Sequence, residues 1–261
     1  MAKLKTGIFI FLFLFTVVLT GILGANEAKE SREIDTFTSS GKTGQLDGWQ
    51  SFDSDLEECY EIGKEEDNFY LKARTKDRGS IIAKECNYSL KEFPVITWRW
   101  RALMFPEGAD ERFKRSGDSV AGIYIIFPSL INPGKLTNKL GFKVPVPDSL
   151  KPECIKYVWS ASLPIGTVID SPRASKTKIV VLQNGTSPLN TWITEEVNVY
   201  KDYRRLFNKE PDEVQAVGIL TDADDTSSEA MADYDDIFLK KASPPQVKQG
   251  IEKSTIVARK P

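Results

Sequence analysis

Beyond residue 30, apolar and polar residues alternate along short runs that are rich in β-branched and aromatic residues. Gly, Pro, Asn and Asp separate these runs, so each run predicts a short β-strand. The predicted strands cover residues 68–74, 79–86, 95–102, 119–127, 154–161, 177–183, 193–199, 214–221 and 237–240. Because no helical pattern alternates with the strands, the sequence predicts an all-β fold, an antiparallel β-sandwich or barrel.

One segment has helical periodicity instead. Residues 200–208 place Tyr203, Leu206 and Phe207 on one face and basic residues on the other, which predicts one short helix at an end of the sandwich. The segment 128–152 contains five prolines and is predicted to be a long loop or lid between strands.

The amino terminus has the pattern of a secretory signal peptide. Lys3 and Lys5 precede an apolar run over residues 7–23, and polarity returns at Asn26. We expect residues 1–25 to be cleaved; an uncleaved anchor is the alternative, because the run reaches the lower limit for spanning a bilayer. The protein is therefore expected to be secreted or periplasmic, with no membrane association beyond this segment.

The rest of the chain divides into two parts by composition. Residues 26–241 contain every predicted strand and form the expected β-sandwich domain. Residues 242–261 are polar, include Pro244 and Pro245, and are expected to be a disordered tail.

Composition excludes several functional classes. The chain has 35 Lys and Arg against 37 Asp and Glu, and a net charge of −2 offers no broad attraction to nucleic acid. It contains no His, which removes Ser-His-Asp and Cys-His nucleophiles, His-ligated metals and a His general base. Any catalysis would depend on carboxylates, Lys, Tyr or Cys.

The three cysteines are too few for a disulfide framework, and an odd number allows at most one disulfide and leaves one thiol over. Cys59 and Cys86 are the natural pair for a single disulfide, because they flank two adjacent predicted strands, whereas Cys154 begins a separate one. The alternative is three buried free thiols that pack as small hydrophobic groups.

The first candidate site is the run Val-Ile-Thr-Trp-Arg-Trp-Arg at residues 95–101. Strand alternation places Trp98 and Trp100 on one face and Arg99 and Arg101 on the other. Either the tryptophans are core and the arginines pair with carboxylates on neighbouring strands, or the arginines line a sheet face that binds an anionic sugar or another carboxylate. A similar alternation recurs over residues 155–159, with Tyr157 and Trp159 on one face.

The second candidate is a group of acidic residues in two segments, 221–226 and 233–237. So many carboxylates repel one another unless a cation lies among them. Calcium could be that cation, with ligands from Asp222, Asp224, Asp225 and either Asp235 or Asp236, although the spacing is not that of an EF-hand. Pairing with Arg99, Arg101 or Arg112, a solvated acidic loop, and a catalytic carboxylate pair are the alternatives.

The third candidate is the basic turn at residues 112–119. Asp118 ends this turn where a predicted strand begins, so its carboxylate could cap or bridge the strand ends. A turn beside a sheet could also contact a ligand. A solvated turn is the simpler interpretation.

Several motifs in order resemble an exported bacterial family known as domain of unknown function 3047. The shared strings are Trp-Arg-Trp-Arg at 98–101, Gly-Asp-Ser at 117–119, Tyr-Val-Trp-Ser at 157–160, Thr-Asp-Ala-Asp-Asp-Thr at 221–226 and Tyr-Asp-Asp-Ile at 234–237. The resemblance extends over residues 47–239. Gly122 and Val197 stand where this family often has arginine. The resemblance implies an exported β-rich domain and assigns no catalytic residue.

The strand Tyr-Asp-Asp-Ile-Phe-Leu at residues 234–239 is also similar to the last strand of jelly-roll carbohydrate-binding modules with a galactose-binding-like fold. By this analogy the sandwich would be a jelly roll, a structural calcium would lie beside the acidic strand, and aromatic side chains would stack on sugar rings. The candidate aromatic platforms are Trp49, Trp192, Tyr124 and Tyr157.

We therefore expect a non-catalytic β-sandwich that binds a carbohydrate or another polar component of the cell envelope. The expected ligand-binding residues are Arg99, Arg101, Asp118, Tyr124, Tyr157, Asp222 and Asp224. One alternative is a carboxylate-dependent glycan hydrolase or lyase that uses Asp118, Asp222 or Asp224 as acid or base. A second alternative is an envelope protein-interaction domain that presents a flat apolar surface.

Overall fold

The computed structural model of the protein describes residues 30–51, 58–129, 150–185, 187–211 and 213–242. The predicted signal peptide, nearly all of the predicted tail and most of the proline-rich segment 128–152 lie outside the described residues. The described chain is built from thirteen strands and two helices. In chain order these are β1 (Ser31–Asp35), α1 (Thr38–Thr43), β2 (Trp49–Ser51), β3 (Tyr60–Glu65), β4 (Asn68–Lys76), β5 (Gly79–Ser89), β6 (Val95–Met104), β7 (Ala121–Ile126), β8 (Cys154–Trp159), β9 (Val168–Asp170), β10 (Thr177–Gln183), β11 (Ile193–Asn198), α2 (Val199–Phe207), β12 (Glu213–Asp222) and β13 (Glu229–Lys240).

The strands form two sheets that pack face to face, as the sequence predicts. Sheet 1 has the order β11-β6-β13-β4-β3, with β1 paired to β13, and sheet 2 has the order β2-β5-β12-β7-β8-β10-β9. Successive strands from β4 to β7, and again from β11 to β13, alternate between the sheets, which is the jelly-roll pattern of crossing connections. The predicted antiparallel sandwich is confirmed with one exception, because β8 and β10 are parallel.

Aromatic side chains fill the space between the sheets. Trp98 and Trp100 on β6 pack edge to face with ring centroids 5.3 Å apart. Trp98 also contacts Tyr157 across the core at 5.8 Å, and Trp100 contacts Trp159 at 5.8 Å. All four rings are buried. The aromatic residues of β6 and those of β8 therefore form the centre of the core from opposite sheets.

Helix α2 confirms the predicted amphipathic segment to within one residue. The side chain of Asn198 accepts a hydrogen bond from the Lys201 amide at 2.9 Å and caps the helix start. Asn208 ends the helix in the left-handed region with φ 54°, and its amide donates to the Arg204 carbonyl. Tyr203 on the apolar face is buried against Phe127, with ring centroids 4.4 Å apart.

Several elements are absent from the sequence prediction. β2 and β9 have only three residues each, and β1 and β3 carry charges on both faces, so none of them has a readable alternation. Helix α1 adds a second helix where one was expected. β13 begins at Glu229, eight residues before the predicted start. The predicted start was late because the acidic residues in the first half of this strand had indicated a loop.

All three thiols are free in the structure. Cys59 and Cys154 are buried, Cys86 is half-buried, and Cys59 and Cys86 belong to segments of different sheets. The predicted Cys59–Cys86 bond is therefore not formed, and the alternative of thiols packed as small hydrophobic groups describes this structure. Burial raises the pKa of Cys86 to about 11.

Candidate functional site

The two arginines of β6 lie on the outer face of sheet 1. Trp98 and Trp100 point into the core, so the alternation of the strand directs Arg99 and Arg101 away from it. On the neighbouring strand β13, Asp235 lies opposite Arg99 and Asp233 lies opposite Arg101.

Arg101 is held from two sides by carboxylates. Its Nε donates to Asp233 Oδ2 at 2.7 Å and its terminal NH2 group donates to Glu65 Oε1 at 2.7 Å. Asp233 is fully buried, and Arg101 is only 8% exposed. The Arg101 hydrogen bond also holds the pKa of Glu65 below its usual value. Asp233 comes from the neighbouring strand β13 and Glu65 from the edge strand β3, so Arg101 is paired with carboxylates of its own sheet.

Arg99 is paired in the same way. Its NH2 group donates to Asp235 Oδ2 at 2.5 Å, and its Nε lies 2.9 Å from Asp236 Oδ2. Asn68 donates a further hydrogen bond to Asp235 at 2.8 Å. Burial raises the pKa of Asp235, although Asn68 and Arg99 act in the opposite direction. Asp235 therefore belongs to an arginine pair on sheet 1, whereas Asp222, with which it was grouped as a metal ligand, ends β12 in sheet 2.

The indole of Trp192 lies over both guanidinium groups. Its ring centroid is 4.6 Å from Cζ of Arg101 and 4.8 Å from Cζ of Arg99. Across the sheet it meets Tyr70 edge to face at 5.6 Å, and its Nε1 lies 3.4 Å from Glu65 Oε2. Trp192 precedes the edge strand β11, whereas Glu65 ends β3 at the opposite edge. The indole therefore contacts side chains that come from β6, β4 and β3.

Tyr70 lies flat on the outer face because the neighbouring strand has no side chain there. A Cβ atom at Gly63 would stand 2.5 Å from Cζ of Tyr70, which is closer than two carbon atoms can approach. Tyr70 is buried, and Arg101 lies 5.1 Å from its ring centroid. We call this surface the Trp192 face and define it as Glu65, Asn68, Tyr70, Arg99, Arg101, Trp192, Asp233, Asp235 and Asp236.

Most of the other predicted site residues lie on the other sheet. Tyr157 and Trp159 point into the core, so Lys156 of β8 points to the outer face of sheet 2. Its side chain passes over Gly122, where a Cβ would be 3.2 Å from Cε, and its Nζ lies 3.1 Å from Ser119 Oγ. Only 4% of Lys156 is exposed, so this ammonium is an interior charge.

Two carboxylates that interact with Lys156, those of Glu111 and Asp222, have raised pKa values. Glu111 is fully buried and accepts a hydrogen bond from Ser160 at 2.6 Å, while its Oε1 has no hydrogen-bond partner within the described chain. Burial raises the pKa of Glu111. Burial likewise raises the pKa of Asp222 to about 7, with Lys156 opposing the shift and Asp224 and Asp118 adding to it.

Asp118 links two loops. It is fully buried and accepts hydrogen bonds from the Thr226 amide at 2.8 Å, the Thr226 hydroxyl at 2.6 Å and the Asp225 amide at 3.2 Å. Burial raises the pKa of Asp118 despite these donors. The carboxylate therefore bridges the segments before β7 and after β12.

Three carboxylates could hold a cation at this place. Oxygen atoms of Asp118, Asp224 and Asp225 lie within 4.8 Å of one another. The predicted metal ligand Asp222 is outside this group, although it interacts electrostatically with Asp118 and Asp224. Arg173 already forms an ion pair with Asp225, with Nε 3.0 Å from Oδ2. Arg173, which the sequence analysis had not considered, is therefore the cation paired with Asp225, while Arg112 pairs with Asp110.

The predicted ligand site is thus divided between the two outer faces. Arg99 and Arg101 lie on sheet 1, whereas Asp118, Tyr124, Asp222 and Asp224 belong to sheet 2 and its loops. Tyr157 is fully buried between the sheets, where its hydroxyl lies 2.9 Å from Asp202.

The four proposed aromatic platforms also separate. Trp49 is buried and stacks on Phe37 with ring centroids 6.0 Å apart, so it is core. Tyr157 is core as well. Tyr124 is half-buried beside Lys156, 5.6 Å from its ammonium. Trp192, which is half-buried, is the one of the four that lies with the arginines.

Sequence reasoning missed several members of the Trp192 face, chiefly Glu65, Asn68, Tyr70 and Asp233. β4 contains the necessary signal, because Asn68 and Tyr70 alternate with core residues such as Leu71. Asp233 and Asp235 share a strand face by the same rule. Register between strands is what joins them to the arginines, and a single sequence does not show register.

Comparisons with known proteins give a family and a set of weak fold similarities. The profile of the family described as protein of unknown function, DUF3047, matches residues 47–238. No curated protein matches the sequence. No helix in the described part of the chain is long and apolar enough to cross a membrane.

Three solved structures illustrate the similarities. The family 11 carbohydrate-binding module of a cellulosomal cellulase from Clostridium thermocellum is 12% identical, with 81% of this chain and 95% of the module covered and a TM-score of 0.40. The CBM27-1 module of Caldicellulosiruptor saccharolyticus, solved with mannohexaose, is 9% identical, with 78% and 95% covered and a TM-score of 0.34. The K3 adhesin domain of Lys-gingipain from Porphyromonas gingivalis is 11% identical, with 77% and 95% covered and a TM-score of 0.35.

Proposed function

The chain belongs to the DUF3047 family of proteins of unknown function, and we propose that this member is an exported, non-catalytic carbohydrate-binding protein. Its ligand would lie on the Trp192 face of sheet 1. The export part of the proposal depends on the signal-peptide pattern of residues 1–25.

One observation carries the proposal: a half-buried indole ring lies over two paired guanidinium groups on the outer face of sheet 1. A pyranose ring has an apolar C–H surface and a rim of hydroxyl groups. An aromatic ring supplies the matching apolar surface, and a few fixed polar groups around it set orientation and specificity. The Trp192 face combines both within one layer of side chains.

The polar groups on this face are positioned before any ligand arrives. Asp235 and Asn68 fix Arg99, and Asp233 and Glu65 fix Arg101. Side chains that are already ordered lose little conformational entropy on binding, so more of their interaction energy appears as affinity. Arg99 remains accessible, with 26% of its side chain exposed, and the side chains of Glu65 and Asp236 are 47% and 43% exposed.

The structure supports the hydrolase alternative less well. Asp118, one of its three candidate acids beside Asp222 and Asp224, is fully buried and already bonded to Thr226 and Asp225. A general acid or base must reach the substrate atom that it serves. The perturbed pKa values around Lys156 are accounted for by burial within the fold.

A binding screen tests the proposal. The purified chain would be titrated by affinity electrophoresis against soluble plant, fungal and bacterial polysaccharides, beside Trp192→Ala and the matched control Phe113→Ala. Phe113 is 59% exposed and lies in the loop between β6 and β7, so its loss controls for the removal of an exposed ring. We expect retardation by at least one polysaccharide, lost in Trp192→Ala and kept in Phe113→Ala. No retardation by any polymer, or equal retardation of all three proteins, would overturn the proposal.

A further inference from the structure

The charges on the outer face of sheet 1 neutralise one another. Around the Trp192 face the cationic side chains are Lys72, Arg74, Arg99 and Arg101, and the carboxylates are Glu61, Glu65, Asp233, Asp235 and Asp236. Nearer the ends of the same strands, Lys76 pairs with Glu229 and Lys240 pairs with Glu196. Every cation of this set has a carboxylate within 3.2 Å. The face therefore carries no surplus positive charge, and the count leaves one negative charge over.

Three carboxylates around the Trp192 face are also more exposed than the four cations beside them, whereas Asp233 and Asp235 are buried. Arg101 has 10% of its side chain exposed and Arg99 has 26%, whereas Glu65 has 47% and Glu61 has 65%. An approaching ligand therefore meets carboxylate oxygens first. A ligand carboxylate or sulfate would be repelled by them.

An anionic ligand would also have to break an existing pair. Asp235 has no exposed surface, so a ligand that took Arg99 would leave this buried carboxylate without its arginine. Asp233 is equally buried, and it would keep only Arg74 if Arg101 were taken. Breaking a buried ion pair in this way is strongly unfavourable. A sugar hydroxyl does not impose this cost, because it can accept from a guanidinium and donate to a carboxylate at the same time.

We propose that the Trp192 face selects uncharged glycans and excludes uronate-containing and sulfated polymers. This inference rests on the proposed function. It departs from one of the two alternatives drawn from the sequence, in which Arg99 and Arg101 bind an anionic sugar.

A pair of polymers with one backbone separates charge from shape. Polygalacturonate and its highly methyl-esterified form share the same chain, and hydroxyethyl and carboxymethyl cellulose form a second such pair. The full chain would be titrated with both pairs, and with neutral β-glucan, galactan and mannan, at 50 and 500 mM NaCl. We expect the uncharged member of any recognised pair to bind at least tenfold more tightly, with an affinity that changes little with salt.

Charge-removal variants locate the exclusion. Asp236→Asn removes an accessible negative charge from the face, and Asp170→Asn removes one from the edge strand of sheet 2, where the side chain is 70% exposed. We expect Asp236→Asn to reduce the discrimination between charged and uncharged polymers and Asp170→Asn to leave it unchanged.

The outcomes distinguish this inference from the proposed function. Tighter binding of the acidic polymers, weakened by salt, would overturn the inference and leave carbohydrate binding standing. If Asp236→Asn and Asp170→Asn discriminate equally between charged and uncharged polymers, the Trp192 face is not the cause of the discrimination. Failure of every polymer to bind would overturn both.

Discussion

The indole of Trp192 rests 4.6 Å from the guanidinium carbon of Arg101, and Arg101 in turn is bonded to the buried carboxylate of Asp233. The exposed ring is therefore supported by a cation that is itself fixed by the fold. Arg101 thus acts as a structural support for the Trp192 face, while the more accessible Arg99 is the arginine available to a ligand.

Replacing Arg101 should mainly reduce stability. In Arg101→Ala the buried Asp233 loses one of its two arginine partners and keeps Arg74, so we expect the free energy of unfolding to fall by about 1–3 kcal/mol. Arg101→Lys should recover part of the loss because it keeps the charge. Arg112→Ala is the matched control, since its pair with Asp110 is more exposed and worth about 0–1 kcal/mol. Urea denaturation measures all three, and an Arg101→Ala loss no larger than that of Arg112→Ala would contradict the buried pairing.

The contact between Gly63 and Tyr70 predicts a strong dependence on one methyl group. In Gly63→Ala the new Cβ would collide with the Tyr70 ring, so we expect a loss of about 1–3 kcal/mol in unfolding free energy. In a Tyr70→Ala background the same substitution should cost much less, because the ring is gone. A double-mutant cycle measures this coupling. Additive effects of the two substitutions would show that the ring does not lie over Gly63.

Glu111 predicts a pH dependence of stability with a definite sign. Burial raises the pKa of its carboxyl in the folded protein, so the folded state keeps the proton at pH values where the unfolded chain has released it. The stability that this group contributes is present at low pH and is lost as pH rises through the folded-state pKa.

The variant Glu111→Gln keeps the shape and removes the titration. We expect its Tm to gain on the wild type as pH rises from 4 to 8, by about 2–4 °C for each kcal/mol. Glu196→Gln, at an exposed position, should give no such trend. A difference between Glu111→Gln and wild type that stays constant with pH would show that Glu111 is ionised normally.

Arg173 predicts how the three carboxylates respond to calcium. In the wild type, Arg173 pairs with Asp225 and the loop amides bond to Asp118, so we expect neither calcium nor a chelator to change the Tm. In Arg173→Ala the carboxylates lose their cation, and calcium should then raise the Tm because oxygen ligands suit it. Thermal unfolding with calcium and with chelator measures both. A calcium response in the wild type equal to that of the variant would identify the group as a metal site.

The fold could be read from the sequence because its central strands alternate strongly. β6 and β8 each place two aromatic rings at alternate positions, and those rings fill the core as predicted. β1 and β3 lie at sheet edges and carry charges on both faces, so the burial that creates alternation is weak there. The first half of β13 was not predicted because Asp233 and Asp235 are acidic side chains, which strands rarely contain unless, as here, arginines of another strand pair with them.

The site could be predicted only in part for a related reason. Arg99, Arg101 and Trp192 were recognised individually, but their assembly depends on the register of β6 against β11 and β13. The same lack of register allowed Asp222 and Asp224 to be grouped with the arginines, although they belong to the opposite sheet. A single sequence gives the face of a strand on which a residue lies, and tertiary pairing decides its neighbours.

The most direct test of the account is a titration followed at the indole N–H resonances. The chain has five tryptophans, and Trp49, Trp98, Trp100 and Trp159 are all buried. A ¹⁵N-labelled sample would be titrated with the neutral polysaccharide that binds best, with Trp192→Phe used to assign the Trp192 signal. The account predicts that the Trp192 resonance shifts in a saturable way while the other four stay close to their free positions. Saturable glycan binding with an unmoved Trp192 resonance would contradict it.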